Sequence, residues 1–296
     1  MPPKADIPKS NRHGSTGSKT GKAVLSTSAG MIPLAISMIA GTIGDRAVVS
    51  HGPARSAESS RSSVVFNPGC RMPFESDPVP DIDSECKVDG AGNTDDKKAE
   101  SKAKNNFCAE TSNPIPIDYQ TFKDLQANTT FKRSADRDPL ASILSRNRVT
   151  IGEGKYVEYA GFVLHAQYSN KSKGEAVNCN IPGEDTNDIH IQMVAEADDD
   201  DACDSVTAEM SPHFRPDSWT PDKLNSLQGR LVRLRGPLFY DGSHAPCHDG
   251  KRPNPQRISV WEIHPVYSVE VCKEKGVDCK NWMSLDEWNG VEAEED

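Results

Sequence analysis

The chain has 296 residues, and only 35% of them are hydrophobic, a smaller share than a globular domain usually has. With 21 glycines and 21 prolines, much of the chain is expected to lie outside any packed core. The net charge of −10 disfavours contact with a phosphate backbone, so the composition argues against a nucleic-acid-binding protein.

The N-terminus has the pattern of an export signal. Residues 1–22 are rich in Lys and Arg, and residues 23–44 carry no charge and include the apolar run MIPLAISMIAGTIG. A basic segment followed by an apolar segment and small residues is typical of a signal peptide. We expect residues 1–44 to be a signal peptide or an N-terminal anchor, with no stable membrane span unless this signal stays uncleaved. The predicted location is secreted or periplasmic.

Residues 45–115 are predicted to form a low-complexity, largely disordered arm. Within it, residues 84–106 consist mainly of Asp, Lys, Gly, Asn and Ala, with almost no apolar side chain. Such a stretch cannot bury enough apolar surface to offset the entropy lost on folding. Its cysteines offer the only way to tie parts of it down.

Short helices packing on the next domain are predicted in residues 116–150. Tyr119, Phe122 and Leu125 recur at helical spacing, which predicts a helix over 118–127. Asp138 followed by Pro139 is a helix start signal, because aspartate caps a helix and proline suits its first position.

Residues 151–275 have the alternating pattern of β-strands. The predicted strands cover 156–168, 188–194, 206–210, 231–240 and 258–271, and the last is interrupted at Pro265. Thr220 and Pro221 open a short helix between the third and fourth strands. This is the element order of an OB-fold, a small five-stranded barrel. The predicted fold class is therefore mainly β, with a five-stranded OB-like barrel; a five-stranded sandwich is the alternative.

Eight cysteines at irregular spacings, with no CxxC pair, indicate structural disulfides. Disulfides persist in oxidising compartments, which agrees with export. Cys272 and Cys279 flank a short loop after the last strand and are predicted to form a disulfide. Free buried thiols are the alternative for the set. Residues 276–296 are predicted to be a C-terminal tail with a short helix.

Four histidines lie in or beside the predicted strands, each near an acidic residue. The candidate polar cluster comprises Asp188, His190, Glu209, His213, Asp241, His244, Glu262 and His264. Residues two apart on a strand share a face, so neighbouring strands would bring several of these groups together. Imidazole and carboxylate are common ligands of transition metals and common acid–base partners. We predict His190, His264 and Glu262 as candidate ligands of a divalent transition metal; structural hydrogen bonding is the alternative.

Two further stretches are candidate binding surfaces. Arg215 and Trp219 lie in a proline-rich segment before the short helix, which indicates a ligand-binding loop or a rigid connector. Arg230, Arg233 and Arg235 recur along the fourth strand, a pattern that would suit single-stranded nucleic acid. The acidity of the chain argues against that use.

Several strings in the chain are distinctive. They are VNC at 177–179, DIHI at 188–191, EMSPHFRP at 209–216, LFYD at 238–241 and WEIHPV at 261–266, with NPGC at 67–70 and NNFC at 105–108. Together they resemble a family of exported bacterial proteins of unknown function with an OB-like barrel. The resemblance implies a fold and export, and it supplies no activity.

The lead interpretation is an exported, non-enzymatic binding module whose partner is an unknown protein or a glycan. The sequence contains no recognisable nucleophile–base pair and no complete metal motif. The first alternative is a metal-dependent hydrolase that uses the cluster of histidines and carboxylates. The second is an OB-fold that binds single-stranded nucleic acid through the fourth strand.

Overall fold

A computed structural model describes residues 81–290, apart from residues 110, 131, 214 and 277. Its helices are α1 (Asp81–Glu85), α2 (Asp95–Lys104), α3 (Tyr119–Asn128) and α4 (Pro221–Asn225). Its strands are β1 (Ile115–Ile117), β2 (Leu144–Arg146), β3 (Val149–Ile151), β4 (Tyr156–Tyr168), β5 (Ile189–Val194), β6 (Val206–Met210), β7 (Leu231–Tyr240), β8 (Trp261–Ile263), β9 (Ser268–Cys272) and β10 (Trp282–Ser284). The predicted signal peptide and the first part of the predicted arm lie outside the described residues.

Five strands close into a barrel in the order β4–β5–β6–β8–β7 and back to β4. The β6–β8 pairing is parallel, and the other four pairings in the barrel are antiparallel. Helix α4 lies between the third and fourth of these strands. The predicted fold class, a mainly β protein with a five-stranded OB-like barrel and a short helix at this position, is confirmed.

The strand predicted over 258–271 is two strands in the structure. Strand β8 closes the barrel between β6 and β7, and β9 pairs with the earlier half of β7 and with β10. The change of direction falls at Pro265, whose carbonyl oxygen lies so close to Gly236 of β7 that a β-carbon there would meet it at 2.4 Å. A proline cannot donate to a strand ladder, which explains the break.

The barrel interior is apolar and its outer face is polar, as the alternation predicts. Ile189, Ile191 and Met193 of β5 are fully buried in the core. Helix α3 adds Phe122 and Leu125 to the same core, so the predicted helix over 118–127 does pack on the barrel. Its N-terminus is capped by Asp118, whose carboxylate accepts a hydrogen bond from Thr121 N.

Part of the predicted arm is ordered, so the expectation of disorder over 84–106 is wrong for this stretch. Helix α2 buries Glu100 and Ser101 in place of an apolar stripe. Phe107, just after the helix, is 1% exposed, and Cys86 is bonded to Cys179 in the loop between β4 and β5. A covalent bond and polar contacts therefore order a segment that lacks the apolar surface to order itself.

Two smaller predictions are corrected. The helix expected from Asp138 is a single 3₁₀ turn, Asp138–Ala141, followed by the β2–β3 hairpin. Within the described part of the tail, strand β10 and a turn take the place of the expected short helix, because Trp282 pairs with Cys272 of β9.

Three disulfides join cysteines of the described residues. They are Cys86–Cys179, Cys203–Cys247 and the predicted Cys272–Cys279, which is confirmed. In residues 81–290, no helix combines the length and the apolar composition that a membrane span requires.

Candidate functional site

A cleft of about 810 Å³ opens on the outer face of the barrel. Its floor includes Gln167 of β4 and His190 of β5, which are cross-strand partners. Its walls come from α2, from the loop between β4 and β5, and from the loop between β7 and β8. In OB-like barrels this face, with the loops that flank it, is the usual binding surface.

A buried cluster of charged groups lies next to Lys104 and His190, which line the cleft. Lys104, the last residue of α2, places its Nζ atom 2.6 Å from Glu209 Oε2 and 3.7 Å from Asp188 Oδ2. Burial disfavours the charge of Lys104, but the surrounding carboxylates, Glu209 first, raise its pKa well above the ordinary value. A charged ammonium group therefore neutralises the acidic centre of the cluster.

His264 connects this cluster to α2. Its Nε2 atom lies 3.2 Å from Asp188 Oδ2, and its Nδ1 atom lies 2.6 Å from the carbonyl oxygen of Lys104. Asn178 donates a hydrogen bond of 3.1 Å to Asp188 Oδ1, and its own oxygen lies 3.2 Å from His213 Nε2. His213 therefore supports the cluster from behind, through an amide.

His190 faces the cleft between two carboxylates. Its Nε2 atom lies 3.0 Å from Glu209 Oε1 and 3.3 Å from Glu175 Oε1. Burial favours the neutral ring, but the charge of Glu209 and the contact with the Glu175 carboxylate outweigh it and raise the pKa of His190 to about 9. The ring is therefore an imidazolium at neutral pH.

A second buried group lies beside the first, centred on Arg257. This fully buried guanidinium contacts Asp241 Oδ2 at 2.5 Å and Glu262 Oε2 at 2.8 Å. His244, at the mouth of the cleft, places Nδ1 2.6 Å from Asp241 Oδ2. Burial alone would raise the pKa of Asp241, but the hydrogen bond with His244 and the charge of Arg257 outweigh it and hold the pKa well below the ordinary value.

The structure brings most of the predicted polar cluster together, in these two groups. The predicted metal ligands, however, do not converge on one point. Glu262 is paired with Arg257, and His190 and His264 contact different carboxylate oxygens of Glu209. Among the described residues, the groups whose ligand atoms lie within 4.8 Å of one another are Asp188–Glu209–His264 and Cys272–Glu274–Cys279. The second has both sulfur atoms in a disulfide.

Arg215 and Trp219, the predicted binding loop, do not line the cleft. Arg215 donates hydrogen bonds to the carbonyl oxygens of Asn187 and Glu184 and lies over the ring of Tyr168. The Trp219 indole donates to Asp286 in the C-terminal segment. The segment acts here as a rigid connector that holds the loop between β4 and β5.

The arginines of β7 are paired within the sheet. Arg233 Nη2 lies 2.6 Å from Glu270 Oε2, and Arg235 Nε lies 2.6 Å from Glu158 Oε2. Arg233 also lies over the ring of Trp282. Neighbouring carboxylates therefore neutralise these two guanidinium groups.

Sequence reasoning missed two cations of the site. Lys104 lies in a segment without apolar periodicity, and nothing local marks it as buried. Arg257 lies in the irregular loop before β8, and the sequence shows only that it is close to Glu262 along the chain. Neither a comparison with models of protein families nor searches of curated proteins and of solved structures give a match.

Proposed function

We propose that this protein is an exported binding module that holds a saccharide in the cleft, without transforming it. The observation that carries the proposal is a set of exposed side-chain amides on the cleft lining, from Gln167, Asn180 and Asn254. Unlike most polar groups nearby, these three amides make no side-chain hydrogen bond with the described residues. Each amide offers donors and an acceptor, which matches the paired donor and acceptor capacity of sugar hydroxyls.

The rest of the cleft suits the same ligand class. Tyr168 lies on the lining as a half-buried aromatic residue, and Lys97 and Glu175 add charges of opposite sign. A lining this polar fits a hydrated, hydroxyl-rich ligand better than an apolar one, since small apolar ligands prefer mostly apolar cavities. OB-like barrels use this face for oligosaccharides as well as for nucleic acids.

Export supports a glycan partner. Three disulfides join separate parts of the described chain, and disulfides persist in oxidising compartments outside the cytosol. The signal-like N-terminus and the resemblance to exported bacterial proteins point the same way. Saccharide polymers are abundant outside cells, so a polar cleft there has a plausible class of ligand.

Binding of the oxidised protein to an array of bacterial and plant glycans tests the proposal. Titration calorimetry with any glycan found then compares the wild type with Gln167→Met and Asn254→Ala. Each variant should weaken binding about 5- to 30-fold, because a lost hydrogen bond is worth roughly 1–2 kcal/mol.

The matched control is Gln120→Ala on α3, an exposed amide that donates to Asp124 of its own helix and to no other side chain in the described part of the chain. This control should bind as the wild type does. A glycan that binds all four proteins equally would place its site outside the cleft. An array without any bound glycan would overturn the proposed function.

A further inference from the structure

We propose that Asp188, Glu209 and His264 form a divalent-cation site on the barrel, and that Lys104 of α2 competes with the metal for it. The inference is independent of saccharide binding. It replaces the metal set expected from the sequence with a different set of ligands, and it gives α2 a role in controlling access to them.

The three ligands come from three adjacent strands. Asp188 immediately precedes β5, Glu209 lies on β6 and His264 immediately follows β8. Because β5, β6 and β8 are neighbours in the barrel, their outward side chains meet. One ligand atom from each residue lies within 4.8 Å of the others, and all three side chains are at most 3% exposed.

Outer contacts orient these ligands. The Nδ1 atom of His264 is engaged with the carbonyl oxygen of Lys104, which directs Nε2 to the centre of the site. Asn178 donates a hydrogen bond to Asp188 Oδ1, the oxygen that faces away from His264, and His213 Nε2 lies within hydrogen-bond distance of Asn178 Oδ1. Metal-binding histidines and carboxylates usually have such hydrogen-bonded partners behind them, which fix ring orientation and basicity.

A separate observation shows that the site takes a cation. The ammonium group of Lys104 lies 2.6 Å from Glu209 Oε2, yet this buried oxygen accepts no hydrogen bond from any described residue. The contact is therefore electrostatic and poorly directed. Two carboxylates with one imidazole are a ligand set that suits zinc or manganese.

The metal and the ammonium group exclude each other, because both need the same oxygens and carry like charge. The Lys104 side chain is 15% exposed and lines the cleft, so it can turn into the cleft while α2 stays in place. The metal then enters from the cleft, and the displaced ammonium group remains on the cleft wall.

Titration calorimetry with ZnCl₂ and with MnCl₂ tests this on the full oxidised chain. Lys104→Met should bind one zinc per chain at least tenfold more tightly than the wild type. The control Lys102→Met, at an exposed position of the same helix, should match the wild type. Adding His264→Ala to Lys104→Met should abolish the gain in zinc affinity.

Loss of the ammonium group removes one of the positive charges that compensate the buried carboxylates of Asp188 and Glu209, so Lys104→Met is a risk for folding. Lys104→Gln keeps a hydrogen-bond donor near Glu209 and gives the same comparison. Zinc should also raise the melting temperature of either variant more than that of the wild type. Equal zinc affinity in the wild type and in a folded Lys104 variant would overturn the proposal, as would a gain that survives His264→Ala.

Discussion

His190 carries a positive charge that depends on two carboxylates, Glu175 and Glu209. Its pKa of about 9 in the folded protein lies above the value near 6.5 of an unfolded chain. A raised pKa stabilises the folded state fully below the unfolded value, and this stabilisation is lost as the pH rises through the folded value.

We therefore expect His190→Gln to lower the free energy of unfolding by about 2–3 kcal/mol at pH 6 and by much less at pH 10. Urea unfolding followed by tryptophan fluorescence across this pH range measures the difference. His248→Gln, an exposed histidine in the loop between β7 and β8, is the control and should show little change at any pH. A gap between wild type and His190→Gln that widens with pH would contradict the assignment.

At the same scale, strand alternation predicts which side chains share the outer face. It placed Asp188 and His190 on one face of a strand, and in the structure both lie in the charged group that contains Glu209. It does not reveal the counter-ions, because Lys104 and Arg257 come from segments without a regular pattern. Which histidine contacts which carboxylate depends on strand register, and no local signal in the sequence encodes that.

Helix α2 is held by polar contacts and by one disulfide close to it in the chain. Glu100 forms an ion pair with Arg133 in the segment after α3, Lys104 forms one with Glu209 of β6, and the disulfide Cys86–Cys179 ties the chain just before α2 to the loop between β4 and β5. That disulfide spans 93 residues, and closing so long a loop removes much entropy from the unfolded chain. The wall of the cleft that α2 forms therefore depends on an oxidised bond.

The double variant Cys86→Ser/Cys179→Ser should lose about 4 kcal/mol of unfolding free energy, measured by urea unfolding without reductant. Affinity for the glycan should fall with it, since α2 is no longer held against the cleft. Cys272→Ser/Cys279→Ser removes a disulfide whose cysteines are only 7 residues apart. This double variant should lose less unfolding free energy and bind the glycan as the wild type does. Equal losses in the two double variants would argue against this account of α2.

Among the elements, the strands with clear alternation were predictable almost to the residue, as β4, β6 and β7 show. The split of the last strand into β8 and β9 was not, because it depends on how closely Pro265 approaches Gly236. Helix α2 was missed because its residues favour a helix but form no apolar face. Polar tertiary contacts and a disulfide order it in place of apolar burial.

For the molecule as a whole, the disulfides define a redox state. Eight cysteines less the six bonded among the described residues leave two. Titration of thiols in the unfolded, unreduced protein should therefore find close to none and at most two, and reduction should bring the count to eight. Four or more thiols before reduction would contradict both the pairing and the expectation of export.

The barrel closes through contacts between its first and fourth strands, where Tyr156 pairs with Pro237, and through the parallel pairing of its third and fifth. A chain that emerges from its N-terminus can complete the first of these ladders only after residue 237 has appeared, and the second only after residue 263. Until then the buried group beside the cleft lacks His264, which contacts the carbonyl oxygen of Lys104. The order of emergence therefore keeps the cleft incomplete until most of the chain has left the ribosome.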